Sequence, residues 1–395
     1  MKVGFSTGDY ATARNIVGLV PGVDYVKAYD LNRFRTRLGR AATILLRRPP
    51  SKDYDLRFSF DDHNLNRVDI LHLFNAISFG KTPWITTFET IIPRFQDTLT
   101  RHHGRECGYS SLVDDKKVVR ALEALSGDPC KTIIALSECN LMMQKDLLHH
   151  FPEFRSTIER KLTCVHPPQK IVVNSYADKH LSLGKPIHFM FVGNAFFCKG
   201  GMQILEACLE LRKKNQYDLQ LTIVSSMDLD DYATQKTQKD VQVASDIIRK
   251  NSDWITHYAH LPNQKVLDLM KTAHVGLLPT FADTYGYSVL EFQACGCPVV
   301  STDVRALPEI NNNEMGWMIK VPKNRLGEGI YTTKEDRAEV GLVIKEELKR
   351  LIAEIVEDRG VISRKSDAAI QHVRDRHSPT EFSNRLGEIY DRALE

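Results

Sequence analysis

The chain has 395 residues, 42% hydrophobic and 26% charged, with Lys+Arg 53 against Asp+Glu 50. This is ordinary globular composition, the length suits two domains, and the near-balance of charge calls for no nucleic-acid partner. The eight cysteines (Cys107, Cys130, Cys139, Cys164, Cys198, Cys208, Cys295, Cys297) form no CxxC pair and are too scattered for a zinc set. Reduced, buried thiols in a cytoplasmic protein are expected. No apolar run approaches the length of a membrane span, and MKVGFSTG opens like a strand rather than a signal peptide.

In chain order, Lys2 to Ser6 is predicted as the first strand of a parallel sheet, followed by the loop Thr7-Gly8-Asp9-Tyr10 and a helix from Tyr10 to Val20. Loops after the strands of a doubly wound sheet face its ligand crevice, so Gly8 and Asp9 are candidate ligand contacts. An ordinary strand-to-helix turn is the alternative. Asn32 to Arg48 is the basic stretch, with Arg33, Arg35, Arg37, Arg40, Arg47 and Arg48 around apolar residues at roughly helical spacing. Such a helix can rest on an anionic membrane face or simply present a solvated basic face above a core.

Val68–Phe74 and Trp84–Phe88 are predicted strands, ending at Asn75 and Glu89. Glu89 either contacts ligand or caps a following helix, and His72, mid-strand, is read as buried structure. Pro93 to Asp128 reads as polar and irregular, an acceptor loop or lid. Its His102-His103 pair is a weak metal signal, because nothing acidic or thiol-bearing completes it at helical spacing. Cys130–Leu136 and Leu162–Val165 are further strands, Ser137-Glu138 opens a helix between them, and Gln169–Pro186 is the candidate linker.

The pattern restarts with the strand Ile187–Val192, the loop Gly193-Asn194-Ala195-Phe196-Phe197-Cys198-Lys199-Gly200-Gly201 and a helix from Met202. A glycine-bounded loop with a lysine facing a helix N-terminus suits a diphosphate: the lysine supplies charge and the loop N–H donors. It is neither a Walker A loop nor GxGxxG, and a first-strand loop reading STGDYATA disfavours a Rossmann oxidoreductase. Leu219–Val224 and Trp254–Tyr258 are strands, and Leu261–Ala273 a helix. Asp228-Leu229-Asp230 looks like a metal-binding DxD but is read as a solvated loop.

The stretch Leu278–Asp303, LPTFADTYGYSVLEFQACGCPVVSTD, carries the chemistry. It reads as the end of a strand, a loop at Thr284-Tyr285-Gly286-Tyr287, a helix Ser288–Ala294, a C-cap at Gly296 and the next strand from Val299. The N–H groups of Gly286, Tyr287 and Ser288 would form an anion site at the helix N-terminus. Asp283 before the turn and Glu291 within the helix can flank one ligand, one meeting a hexose and the other a ribose diol. Beyond it, Trp317–Ile319 is a strand, Arg337–Arg359 a long amphipathic helix and Phe382–Leu394 the terminal helix.

This stretch resembles the signature of the family-4 retaining glycosyltransferases. Asp283 and Glu291 stand at the two acidic positions, Tyr285 and Gly286 at the aromatic and second glycine of the loop, and Ala294-Cys295-Gly296-x-Pro298-Val299-Val300 at the exit. Departures are Asp283 for the usual Glu, Thr284 for the first loop glycine and Phe292 for Ala. Lys199 matches the family lysine, Asn194 stands where the family has Arg, and the histidine common at the end of the Trp84–Phe88 strand is absent, leaving Glu89 as the polar replacement.

The resemblance implies an α/β GT-B fold: two Rossmann-like domains facing a central cleft, with the C-terminal helix crossing back to the N-terminal domain. The expected division is an acceptor-binding domain over 1–182, joined by the helix at about 378–395, and a nucleotide-sugar domain over 183–377. It implies metal-independent retaining transfer of a sugar, with no cofactor, from a nucleotide-sugar donor to a glycan or lipid-linked acceptor in cell-surface polysaccharide or glycoconjugate synthesis. Asp283, Lys199 and Glu89 would be catalytic; Asn194, Gly193, Gly286, Tyr287, Ser288, Glu291 and Gly8 would bind substrate. The protein would be cytoplasmic, with peripheral contact at the inner membrane face through Arg33–Arg48. A non-catalytic GT-B protein that binds nucleotide or glycan is the alternative.

Overall fold

The computed structural model describes residues 1–36, 55–181, 186–230 and 232–395. They form two compact units, Met1–Pro168 with Pro379–Glu395, and Gln169–Ser378.

The first unit holds a six-stranded parallel sheet in the order Asp24–Lys27, Lys2–Phe5, Ile70–Phe74, Trp84–Phe88, Cys130–Ala135, Leu162–Cys164. Every residue of Ile70–Phe74 and Trp84–Phe88 is buried, as expected of parallel strands covered on both faces. In sequence terms the strand order is 2-1-3-4-5-6, so the direction of winding reverses between Lys2–Phe5 and Ile70–Phe74. The terminal helix Pro379–Leu394 belongs to this unit. Its Phe382, Leu386, Ile389 and Tyr390 pack with Val3, Ile70, Ile85 and Ile134.

That packing gives His72 its role. The buried ring has Nδ1 2.7 Å from the Tyr390 hydroxyl and Nε2 2.8 Å from Thr87 Oγ1. Burial drives its pKa down to about 3, so the ring is neutral and structural.

The second unit holds another six-stranded parallel sheet, ordered Ile255–Tyr258, Leu219–Val224, Ile187–Val192, Val275–Leu278, Val299–Thr302, Trp317–Ile319. This is 3-2-1-4-5-6, the dinucleotide-fold order, with its switch point between Ile187–Val192 and Val275–Leu278.

Several local expectations are corrected. The first helix stops at Asn15 rather than Val20; Asp9 caps its start, and Asn15 turns its amide back onto Ala11 O at 2.7 Å. Within Pro93–Asp128, Lys116–Ser126 is an 11-residue helix capped by Asp115, with Val118, Ala121, Leu122 and Leu125 buried at helical spacing. The edge strand Asp24–Lys27 and the helix Gly360–Arg376 have no counterpart in the sequence reading. Asp230 is buried rather than solvated: Oδ1 accepts N–H groups from Ala233 and Thr234, each at 2.7 Å, and Oδ2 accepts the Thr234 hydroxyl.

Much of the stretch read as a linker is core of the second unit. Lys179 is 8% exposed, and its ammonium donates to Ala273 O (2.7 Å), Gly296 O (3.1 Å) and Cys297 Sγ (3.0 Å). Residues 182–185 lie outside the described residues, as do 37–54, which include positions 37–48 of the basic stretch. Among the described residues of that stretch, Arg33 is held by Asp30 at 3.4 Å, and Phe34 is exposed. The cysteines are free thiols, all but Cys107 and Cys164 buried. Among the described residues, no helix is long and apolar enough to cross a membrane.

Candidate functional site

Two loops leave the switch point of the second sheet, Gly193–Gly200 after Ile187–Val192 and Pro279–Gly286 after Val275–Leu278. They are stitched together. Phe281 N–H donates to Cys198 O at 2.8 Å, and the Thr280 hydroxyl bridges Cys198 O (3.0 Å) and Ala282 O (2.6 Å). Gly200 makes the approach possible: its φ is +80°, and a Cβ there would lie 2.1 Å from Pro279 O.

The stitching brings Lys199 to Asp283. Nζ lies 2.6 Å from Asp283 Oδ2 and 3.1 Å from Ala282 O, with the two side chains 20% and 11% exposed. Asp283 Oδ1 accepts the Tyr285 N–H at 3.1 Å. Burial works against the charge on Lys199, but the Asp283 carboxylate more than compensates, so its pKa is raised and the ammonium persists. Cys198, next to it, is pushed up by burial and stays a neutral thiol.

The helix Tyr287–Ala294 starts at Gly286, whose φ is +94° and whose hypothetical Cβ would meet Leu307 Cδ2 at 2.5 Å. Tyr285 is fully buried, its ring 5.3 Å from that of Tyr287. Phe292, where the resembled family has Ala, fits because its ring covers Gly276, where a Cβ would lie 2.6 Å from it. At the exit, Gly296 has φ +69° and presses on Lys179 and Val173. Glu291 is 6% exposed and accepts from Asn263 Nδ2 at 3.2 Å. Asn194 is exposed; its carbonyl accepts the Asp228 N–H at 3.0 Å and the Ser225 hydroxyl at 3.2 Å. Gly193 lies against Lys199, whose Cγ would be 3.1 Å from an added Cβ.

Sequence reading missed two parts of this surround. Asn263 reads only as a residue of the predicted helix Leu261–Ala273, which the structure starts at Asn263. Arg305 and Glu328 form a buried ion pair, to which Tyr331 adds its hydroxyl. Burial disfavours the Arg305 charge, and Glu328 overcomes this. No local spacing announces partners 23 positions apart.

In the first unit, Gly8 lines a cavity of about 360 Å³ with Lys27, Tyr29, Asp30 and Arg33. Nothing lies within 4 Å of a Cβ added at Gly8, so the backbone does not require glycine there. Glu89 is elsewhere on the strand ends and does not line that cavity. Its N–H donates to Asn75 Oδ1 (2.9 Å) and its carboxylate lies 3.6 Å from Arg94. No helix begins at Glu89, so the capping reading is withdrawn; Glu89 is held by Asn75 and Arg94. Asn75 and Thr90 both have positive φ, +56° and +73°, and for a β-branched residue such as Thr90 this is strained.

Residues 173–355 match the model of the family described as Glycosyl transferases group 1. A D-inositol 3-phosphate glycosyltransferase of Paenarthrobacter aurescens (strain TC1) is 31% identical over 157 residues, which is 38% of this chain and 36% of that protein. The uncharacterized glycosyltransferase MJ1607 of Methanocaldococcus jannaschii is 24% identical over 277 residues, 66% of this chain and 64% of that one. The chain spans about a third of the length of the inositol-phosphate enzymes it matches. In fold it is similar to Anabaena Alr3699/HepE, solved in complex with UDP, with TM-score 0.58 and 11% identity over 99% of this chain and 100% of that one. The chain therefore has the GT-B fold, and its residues 173–355 form a domain of the glycosyl transferases group 1 family.

Proposed function

We propose that the protein transfers a sugar, with retention of anomeric configuration, from a nucleotide-diphospho-sugar to a glycan or lipid-linked acceptor. The observation that carries this is one arrangement in the second unit: a lysine 2.6 Å from an aspartate, on two stitched loops at a sheet switch point. Beside them is the N-terminus of the helix Tyr287–Ala294. The diphosphate leaving group gains negative charge as the glycosidic bond breaks. Lys199 and the N–H groups of Gly286, Tyr287 and Ser288 stabilise it, with no metal needed for that charge.

In the free protein Lys199 and Asp283 satisfy each other. An arriving diphosphate takes Lys199 as its counter-charge, which frees Asp283 Oδ2 for the hydroxyls of the donor sugar. Glu291, oriented by Asn263, accepts from the ribose diol. Asn194 offers a neutral donor in place of a cation. In the first unit, Gly8 and Glu89 face the acceptor, and Arg33–Arg48 touches an anionic bilayer at the inner membrane face.

The test is a screen of UDP-, GDP- and ADP-sugars for nucleoside diphosphate release, with varied acceptors and with and without a chelator. Release of one diphosphate, chelator-insensitive and lost in Lys199→Ala and Glu291→Ala, is expected. Binding without release under every condition overturns the catalytic reading. Chelator-sensitive release overturns the metal-independent part.

A further inference from the structure

Behind the donor loops the second unit has another cavity, of about 370 Å³, between the helices Gly201–Asn215 and Lys334–Glu357. None of Lys199, Asp283 or Glu291 lines it. Among the described residues its lining carries four cationic side chains, Lys236, Lys334, Arg337 and Lys345, against one carboxylate, Glu206. Lys345 is shared with Glu210 at 3.2 Å and Lys236 with Asp240 at 3.4 Å. Arg337 is oriented by donating to the carbonyls of Tyr331 (3.0 Å) and Thr332 (2.9 Å).

The floor is apolar, with Phe197 and Phe281 2% and 3% exposed. In the wall, the Gln203 side-chain oxygen is buried with no hydrogen-bond partner among the described residues. A buried acceptor left without a donor is uncommon. A cation-rich rim, an apolar floor and this volume suit a small organic phosphate, whose charge meets the rim and whose carbon skeleton meets the rings.

The floor is also part of the donor loops. Phe197 precedes Cys198 and Lys199, Phe281 precedes Ala282 and Asp283, and Phe281 N–H holds Cys198 O at 2.8 Å. We propose that this cavity is a second ligand site, for a phosphorylated sugar or polyol, and that occupancy displaces the two rings and so shifts the loops carrying Lys199 and Asp283. A ligand affects the donor site to the extent that it binds one loop arrangement better than another.

The test uses glucose 6-phosphate as probe, with inorganic phosphate beside it, in calorimetric titrations of the full chain. The parent should bind glucose 6-phosphate saturably and at least about tenfold more tightly than inorganic phosphate. Lys236→Glu with Lys334→Glu, both exposed positions, should weaken it by about tenfold or more, whereas Lys199→Ala should leave it within about twofold. Gly341→Leu, which fills the cavity from its helical wall, should abolish binding without changing charge. Hydrogen exchange across 279–286 should change on binding.

No saturable binding overturns the site. Loss in Lys199→Ala but not in the double variant places the phosphate in the donor loops and also overturns it. Equal affinity for inorganic phosphate overturns the organic ligand class. Binding without altered exchange across 279–286 overturns the coupling. None of these outcomes depends on turnover, so the donor-site reading stands or falls separately.

Discussion

Both units build a six-stranded parallel sheet with one switch point, but they treat its loops differently. In the second unit the loops are short, adjacent and glycine-dependent. Gly200 and Gly286 hold positive φ where a Cβ would strike Pro279 and Leu307. In the first unit the positive φ values at the strand ends belong to Asn75 and Thr90, and Gly8 has open space around it. Where close backbone approach leaves no room for a side chain, the requirement is written into a short run of residues. Where a crevice is assembled from the ends of separate strands, each contributes one polar group and no run of sequence marks it.

The comparison can be broken by substitution, and the largest effect is expected at Lys179. Lys179→Met strips a buried ammonium from the carbonyls of Met270, Ala273 and Gly296 and from the Cys297 thiol. It should destabilise the second unit by about 3–5 kcal/mol. Urea unfolding followed by hydrogen exchange, which reads each unit separately, should show the first unit unchanged. Equal loss in both would mean that the units do not unfold independently.

Next is Lys199→Ala. Turnover of the donor found by the screen should fall about 10²–10³-fold, as when one preorganised donor to a developing oxyanion is removed. Stability of the second unit should also fall, because the alanine leaves the part-buried Asp283 carboxylate without its counter-charge. Retention of full turnover would assign Lys199 to structure.

In the first unit the largest effect is pH-dependent. His72 is held neutral to about pH 3 in the folded state, whereas the unfolded chain protonates it near its ordinary 6.5. Below 6.5 the unfolded state binds the extra proton, so this contribution weakens stability as pH falls, by up to about 1.4 kcal/mol per pH unit, until the folded pKa is reached. His72→Gln should flatten the stability–pH slope of the first unit by that amount. An unchanged slope would contradict the buried neutral ring. Tyr390→Phe, which removes the hydroxyl 2.7 Å from His72 Nδ1, should cost about 1–2 kcal/mol in the same unit and leave nucleotide binding intact.

These differences also explain what the sequence made legible. Strands such as Ile70–Phe74 and Ile187–Val192 are apolar runs bounded by turn residues, and the loop-helix at Asp283–Glu291 is one contiguous motif. The ion pair between Lys199 and Asp283, 84 positions apart, depends on the strand order that places their loops side by side. The roles of Arg305 with Glu328 and of Asn263 with Glu291 likewise depend on tertiary register. Lys179 was hidden for a different reason: a lysine in a polar, proline-flanked stretch reads as linker until the carbonyls it serves are known. The helix Lys116–Ser126 was hidden by its charged outer face, although its four buried positions already had helical spacing.

The measurement that tests the account most directly is hydrogen exchange of the full chain with and without saturating UDP, GDP and ADP. The account predicts that one of them slows exchange in two segments of the second unit, 193–201 and 282–291, and that Lys199→Ala reduces that protection. No protection by any of the three, or protection confined to the first unit, would contradict the assignment of the nucleotide site to the switch point of the second sheet.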